Sequence, residues 1–414
     1  MVAGAGLMLL AGALGAAPAA PKRITAAEAE AMVRDVSAKI ERIRGLKFKK
    51  PVTVTVIDGA TARANFKAKI APQEETEAGH TTQAYIQLGL VPPRTDLVTG
   101  YLDLAEKDVA GYYEHGSGTF YLLDHVAPDE VRGVMAHELT HALEDQNYDF
   151  DVVSKRGANA DHNTAITAVI EGSAMAVMLA FLDREVGKKK AAEEMERAEA
   201  QRAQRLQVAP SFTQRTLMLP YLLGFSFLLR GRPWEFFIGE GVLLKDMEQA
   251  YAHPPYSTRQ ILHPEQYWGG PDRYLPQRLT VPDVSGVLGP GWAKATEGSI
   301  GELGLAVLTG SREGIELPWA LLPARWTNDA AEGTVGDVYH HYVNGERRVT
   351  LLMTRWETER DADQFDRALA SRGTRFFRFG ANILILAGDV GDRAVAVSQA
   401  AFQGARFWRS EGRP

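Results

Sequence analysis

The sequence contains no cysteine among its 414 residues. Disulfide bonds, cysteine-ligated zinc sites, thiol catalysis and a lipid anchor on cysteine are therefore excluded. A surplus of basic charge is also absent, because 46 Lys and Arg residues stand against 52 Asp and Glu residues and the formal net charge is -6. Since nucleic-acid binding relies on a basic surface, we expect no nucleic-acid partner.

The sequence also has few long apolar runs. The run from Leu217 to Leu229 is too short to span a bilayer and contains Pro220 and Gly224, which are expected to break it. We predict that this run is buried core behind the functional site. We also expect no stable membrane span in the mature protein.

The N-terminus has the pattern of a signal peptide without the usual basic start. Residues 2–21 carry no charge, and an apolar stretch leads to the small residues Ala17 and Ala19 in the A-x-A spacing of a cleavage site. We therefore predict a signal peptide at 1–20 and an exported protein, either periplasmic or extracellular.

The motif that carries chemistry is HELTH, from His137 to His141. Histidines four residues apart project from one face of a helix, about 6 Å from each other, and can share a metal ion. Glu138 has the position of a general base that acts on water held by that metal. Apolar residues at helical spacing surround the motif, so its helix is expected to be buried: Val131, Val134, Met135, Leu139, Ala142 and Leu143.

A catalytic zinc site needs a third protein ligand, and Glu171 is the candidate. It is the only charged residue in AITAVIEGSAMAVMLAFL, where a carboxylate is costly unless a metal or a cation compensates it. An acid on the polar face of an amphipathic helix is the alternative, but its neighbours leave little polar face. Two His and one Glu form the open ligand set of catalytic Zn2+. The small residues Gly172 and Ala174 are expected to let this helix approach the HELTH helix.

HELTH followed at a distance by EGSA resembles the gluzincin class of zinc metallopeptidases, the thermolysin-like group. The stretches AHELTHALEDQNYDF, AVIEGSAM, LPYLLGFSF and PPYSTRQILHPEQY are similar to a set of poorly characterised secreted bacterial proteins. The resemblance implies zinc-dependent hydrolysis of a peptide or protein substrate. It also implies that Glu138 deprotonates zinc-bound water and then passes the proton to the leaving amine.

One position departs from the gluzincin pattern. Met175 stands where thermolysin-like enzymes carry an Asp that orients a zinc-bound histidine. Asp145 is the first candidate to replace that Asp, and Glu144 is a weaker one. Capping of the helix C-terminus, or plain solvent exposure, is an open alternative for both acids.

Stabilisation of the transition state needs a donor that faces the developing oxyanion. The segment PPYSTRQILHPEQYW offers Tyr256, Arg259 and His263, and His263 is our first choice as oxyanion or proton donor. Packing of His263 against a turn is the alternative. A hairpin is predicted just before the metal helix, with strands at Val109 to Glu114 and Thr119 to Leu123. The resemblance implies that Gly111 to Tyr113 border the substrate cleft, and the alternative is that Tyr112 and Tyr113 are plain hairpin aromatics.

These features predict an α+β fold with several parts. They are a signal peptide at 1–20, a zincin-like catalytic domain at 21–275, a connecting segment at 276–333 and a small α+β module at 334–414. The module is predicted from a strand pair around an Asn344-Gly345 turn and a capping box from Thr358 to Asp361. A second function class stays open, namely a non-enzymatic exported protein in which zinc braces the helices and the C-terminal module binds a partner.

Overall fold

The structure is a computed structural model that describes residues 5–8, 24–126, 130–187, 211–230, 232, 242–269, 276–310 and 322–409. The helices in this part of the chain are α1 (Ala26–Arg44), α2 (Gly59–Lys69), α3 (Pro72–Leu88), α4 (Leu97–Lys107), α5 (Val131–Tyr148), α6 (Phe150–Ser154), α7 (Ala160–Val186), α8 (Ser211–Leu229), α9 (Val242–Ala252), α10 (Thr258–Leu262), α11 (Glu265–Trp268), α12 (Ser285–Leu288), α13 (Gly301–Thr309), α14 (Glu359–Ala370) and α15 (Ala394–Gly404). The strands are β1 (Ala5–Met8), β2 (Thr53–Ile57), β3 (Gly111–Glu114), β4 (Thr119–Leu123), β5 (Gln277–Thr280), β6 (Ala293–Gly298), β7 (Thr334–Asn344), β8 (Arg347–Trp356), β9 (Phe376–Phe379), β10 (Asn382–Gly388) and β11 (Arg406–Arg409). The fold is mixed α+β, which confirms the predicted class.

A small sheet lies beside the helix that carries HELTH. Its strand order is β1-β3-β4-β2, and the predicted hairpin is present as β3 and β4. β1 pairs antiparallel with the other edge of β3 and falls within the predicted signal peptide. The remaining residues of 1–20 lie outside the described residues.

α7 packs against both α5 and α8. Its Gly172 faces α8. A Cβ on Gly172 would lie 2.3 Å from the carbonyl carbon of Gly224, so the two helices approach as closely as their backbones allow. The prediction that Gly172 lets α7 approach the HELTH helix is therefore wrong. This small residue faces the neighbour on the opposite side.

α8 runs through the apolar segment without the predicted interruption. Pro220 lies inside the helix, and Leu219, Leu223 and Phe227 are fully buried. A proline removes one backbone hydrogen bond, but burial of apolar side chains on most sides outweighs that loss. The expected break is therefore wrong, whereas the expectation of buried core is confirmed.

α7 is long and apolar enough to cross a bilayer by length and composition alone. However, 83% of its apolar window is buried inside the protein, as in the core helix of a soluble fold. The helix by itself therefore does not decide whether the chain meets a membrane.

The C-terminal sheet has the order β6-β7-β8-β10-β9, and its neighbouring strands run antiparallel. Alternate side chains of β8 enter two cores, with Leu352 on the face towards α14 and Leu351 on the face towards α15. The capping box of Thr358 and Asp361 begins α14 as predicted. β6 comes from the segment predicted as a connection, so this sheet starts earlier in the chain than 334.

Candidate metal centre

Three side chains from two helices converge on one point. His137 and His141 project from α5, and Glu171 projects from α7. The Nε2 atoms of the two histidines are 3.0 Å apart, and they lie 3.1 Å and 3.3 Å from Oε2 of Glu171. Among the residues that the structure describes, this is the only group of three such side chains close enough to share a metal ion.

The donor atoms fit a tetrahedral metal. Zinc–ligand bonds of about 2.0–2.2 Å in a tetrahedron place neighbouring donors about 3.3–3.6 Å apart, so the three observed separations lie at or within about 0.3 Å of the short end of that range. The side chains are held firmly, because His137, His141 and Glu171 are 0%, 1% and 3% exposed. Two imidazoles and one carboxylate leave a fourth position for water or substrate.

The buried carboxylate of Glu171 is stabilised by positive charge on its neighbours. Burial by itself lowers the pKa of His141, but the Glu171 carboxylate outweighs burial and raises that pKa to about 9. Burial likewise favours the neutral form of Glu171, yet the two histidines lower its pKa to about 2. A protonated histidine thus compensates the negative charge of the buried Glu171 carboxylate. A bound metal ion would supply the same positive charge.

Glu138 lies beside the donors on α5 and is fully buried. The backbone N–H of Tyr113 on β3 donates to its Oε2 at 2.8 Å. The predicted hairpin therefore contacts the predicted base directly. This bond fixes one carboxylate oxygen and so restricts the rotation of the side chain.

Asp145 lies one turn beyond His141, but its carboxylate has other partners. Its Oδ2 accepts from the Tyr113 hydroxyl at 2.8 Å, and its Oδ1 accepts from the backbone N–H of Phe150 at 3.0 Å. Asp145 thus positions Tyr113 through its hydroxyl, and the backbone N–H of Tyr113 in turn positions Glu138. Direct orientation of a histidine by Asp145 stays a prediction.

Glu144 is part of a separate buried network. Its Oε1 accepts from Arg44 Nε and Ser173 Oγ, both at 2.5 Å, and its Oε2 accepts from the Tyr251 hydroxyl at 2.7 Å. The network joins α1, α5, α7 and α9. Glu144 therefore fastens the helices around the site, and its oxygens are engaged away from the histidines.

His263 is not brought to the three donors. It lies at the end of α10, and its Nε2 is 2.9 Å from Oε1 of Glu302 on α13. That carboxylate also accepts from the Thr327 hydroxyl at 2.5 Å. This placement is closer to the alternative, packing at a turn, than to the first-choice role beside the metal.

A cavity of about 1130 Å³ reaches the site from the side of α7 and α8. Glu171 and Tyr221 are on its wall at the metal end. The ring of Tyr221 stacks on His137, with 6.0 Å between ring centroids and 25° between ring planes. Sequence reasoning missed Tyr221, although one signal was available, namely a tyrosine inside the apolar run LPYLLGFSF.

Strands of the C-terminal module also line this cavity. Asp337, Tyr339 and His340 line it from β7, and Trp408 lines it from β11. Trp408 is 45% exposed, which is unusual for a tryptophan. The cavity is therefore lined both by α7, which carries Glu171, and by the C-terminal module.

A family model described as a domain of unknown function (DUF8575) matches residues 290–411. No curated protein and no solved structure matches the chain. The matched range starts just before β6 and ends just after β11. It covers the C-terminal sheet with its helices and none of the three metal-donor residues.

Proposed function

We propose that this protein is a zinc-dependent hydrolase of peptide bonds, a metallopeptidase with a gluzincin-type site in a zincin-like domain. The observation that carries the proposal is the convergence of His137, His141 and Glu171, with Glu138 next to His137 on the same helix and Glu171 on the wall of a large cavity. The signal-peptide pattern supports export to the periplasm or the exterior.

A zinc ion held by the three donors would supply Lewis acidity, which polarises a substrate carbonyl and acidifies water. The residues of the chain carry out the proton transfers and hold the reacting groups in place. Glu138 accepts a proton from the attacking water and delivers it to the leaving amine, and the Tyr113 N–H holds its carboxylate in place. Tyr221, stacked on His137, is our candidate donor to the developing oxyanion.

The test is the substitution Glu138→Gln, which keeps the shape of the side chain and removes the base. We expect about one zinc per chain in both proteins, measured by metal analysis. Cleavage of an unstructured protein such as casein should fall by roughly 10²- to 10⁴-fold, because proton transfer contributes that much.

Glu30→Gln is the matched control, since Glu30 is an exposed acid on α1 whose side chain is 61% exposed. It should cleave at the wild-type rate. Cleavage by Glu138→Gln at the wild-type rate would refute the role of Glu138. A wild-type protein that binds zinc and cleaves no peptide would refute the proposed activity.

A further inference from the structure

The wall of the metal-site cavity is acidic. Eight carboxylates line it, against two arginines. Arg259 is committed elsewhere, because its guanidinium donates to Gln266, the Thr334 carbonyl and Glu357. Arg278 is exposed at the surface. Four of the eight carboxylates are exposed, and the four inside the cavity are those of Asp161, Glu171, Glu302 and Asp337. Glu171 and Glu302 each contact a histidine, so Asp161 and Asp337 are the interior acids that no basic side chain of the described residues contacts.

Asp161 is one of these two acids. It lies in the first turn of α7, lines the cavity and keeps part of its surface accessible there. Its carboxylate accepts from the backbone N–H and the hydroxyl of Thr258. Among the described residues no Lys or Arg forms an ion pair with it. Burial raises the pKa of Asp161 to about 7, and the nearby carboxylates of Asp337 and Glu302 add to the rise.

Glu302 adds a second carboxylate to the same wall. Its side chain is 0% exposed, and its Oε1 is engaged by His263 and Thr327. Its Oε2 is buried and has no hydrogen-bond partner. Since a buried carboxylate oxygen without a donor is costly, this atom is suited to accept from a ligand that enters the cavity.

Asp337 has a different role. It accepts from the Ser299 hydroxyl and from the backbone N–H groups of Ile300 and Gly301, at 2.7 to 3.0 Å. These bonds satisfy Asp337 at the start of α13. Asp161 and Glu302 are thus the carboxylates with capacity left for a ligand.

The geometry favours an organic cation over a metal ion. Within the described residues the acids of this wall do not converge to the spacing that a shared metal needs, whereas the three donors at the other end do. An ammonium or a guanidinium can bridge more widely spaced acceptors, because its several N–H donors point in different directions.

We propose that Asp161 and Glu302 bind a cationic group of the substrate, either the ammonium of a peptide N-terminus or a Lys or Arg side chain. This inference rests on the proposed function and names its substrate class. Asp161 precedes Glu171 by ten residues of α7, which is about 15 Å of helix. An extended peptide covers that distance in about four to five residues, so the charge lies several residues from the cleaved bond.

The experiment measures binding, so that it does not depend on turnover. Glu138→Gln protein is titrated with fluorescent ten-residue peptides of neutral sequence that carry one Lys at successive positions. Each peptide is compared with its norleucine counterpart, and N-acetylated forms separate the terminal amine from the side chain. We expect the cationic peptide in the best register to bind roughly tenfold to hundredfold more tightly.

The added substitutions Asp161→Asn and Glu302→Gln should remove this preference. Asn keeps an oxygen for Thr258, and thermal melts check that the variants fold. Glu77→Gln is the control, because Glu77 lines the same cavity but is exposed, and it should keep the preference.

Equal binding of cationic and neutral peptides by folded Glu138→Gln protein would overturn the proposal. So would a preference that survives both substitutions. A rise in melting temperature with Ca2+ that disappears in Asp161→Asn would assign the acids to a divalent cation instead. Failure of wild-type cleavage together with retained cation preference would refute the proposed function and leave this inference standing.

Discussion

In the part of the chain that the structure describes, the contact of His137 with Glu171 and that of His263 with Glu302 look alike at short range and differ in their surroundings. His137 meets Glu171 at 3.1 Å, and His263 meets Glu302 at 2.9 Å. Both glutamates are almost fully buried. At the first pair a second histidine completes three converging donors, whereas at the second pair the third partner is the hydroxyl of Thr327.

The difference shows what separates a metal site from a structural ion pair. A neutral hydroxyl is a poor zinc ligand, so the second pair lacks the donor set that Zn2+ requires. Access to the cavity does not separate the two pairs, because Glu171 and Glu302 both line it. Convergence of three suitable donors, rather than a histidine–carboxylate contact, therefore marks the candidate centre.

The largest expected contrast is in metal content. Glu171→Gln and Glu302→Gln are matched, uncharged substitutions of the same shape. Glu171→Gln should lower bound zinc from about one per chain towards none after dialysis, because an amide is a much weaker ligand than a carboxylate. Glu302→Gln should keep its zinc. Equal zinc in both variants, measured by atomic emission, would remove Glu171 from the ligand set.

A smaller effect is expected at Tyr221. Tyr221→Phe keeps the ring that stacks on His137 and removes only the hydroxyl. If that hydroxyl stabilises the oxyanion, kcat should fall by roughly 10²-fold while zinc content and KM change little. Tyr148→Phe serves as a control, since Tyr148 binds Arg44 in the buried network. A kcat for Tyr221→Phe equal to that of wild type would exclude the hydroxyl from catalysis.

A still smaller effect is expected at His263. Because His263 lies against Glu302 and away from the three donors, His263→Gln should retain wild-type zinc and keep kcat within about threefold for a neutral peptide. A loss of kcat comparable with that of Tyr221→Phe, without loss of fold, would restore the oxyanion role predicted from sequence.

The last prediction concerns stability against pH at the second pair. Burial lowers the pKa of His263, but the bond with Glu302 outweighs burial and raises it; Glu265 and Glu332 also face the ring, as does Arg259. A raised folded pKa means stabilisation that is complete below the unfolded value of about 6.5 and is lost as pH rises through the folded value.

The melting temperature of wild type should therefore exceed that of His263→Gln most clearly near pH 6, and the gap should narrow towards pH 9. His253 is exposed and provides the control. The melting temperatures of wild type and His253→Gln should be nearly equal at every pH. A gap at His263 that widens with rising pH would contradict the assigned ion pair.

Much of the local structure could be read from the sequence. The hairpin of β3 and β4, the capping box at Thr358 and the buried character of α8 followed from residue patterns that act over a few positions. The predictions that were wrong mostly concern contacts between segments that are distant in the sequence. Gly172 faces α8, Pro220 lies within a continuous helix, and β6 joins a sheet whose other strands come later in the chain.

The sequence by itself determined the local part of the candidate site. Four-residue spacing in a buried helix places His137 and His141 on one face, because helix geometry depends only on nearby residues. The sequence offered Glu171 as their partner, but only the tertiary structure brings Glu171 to the two histidines and Tyr221 to His137. Those meetings depend on how helices pack across tens to hundreds of residues, and side-chain packing of that kind leaves no fixed spacing in the sequence.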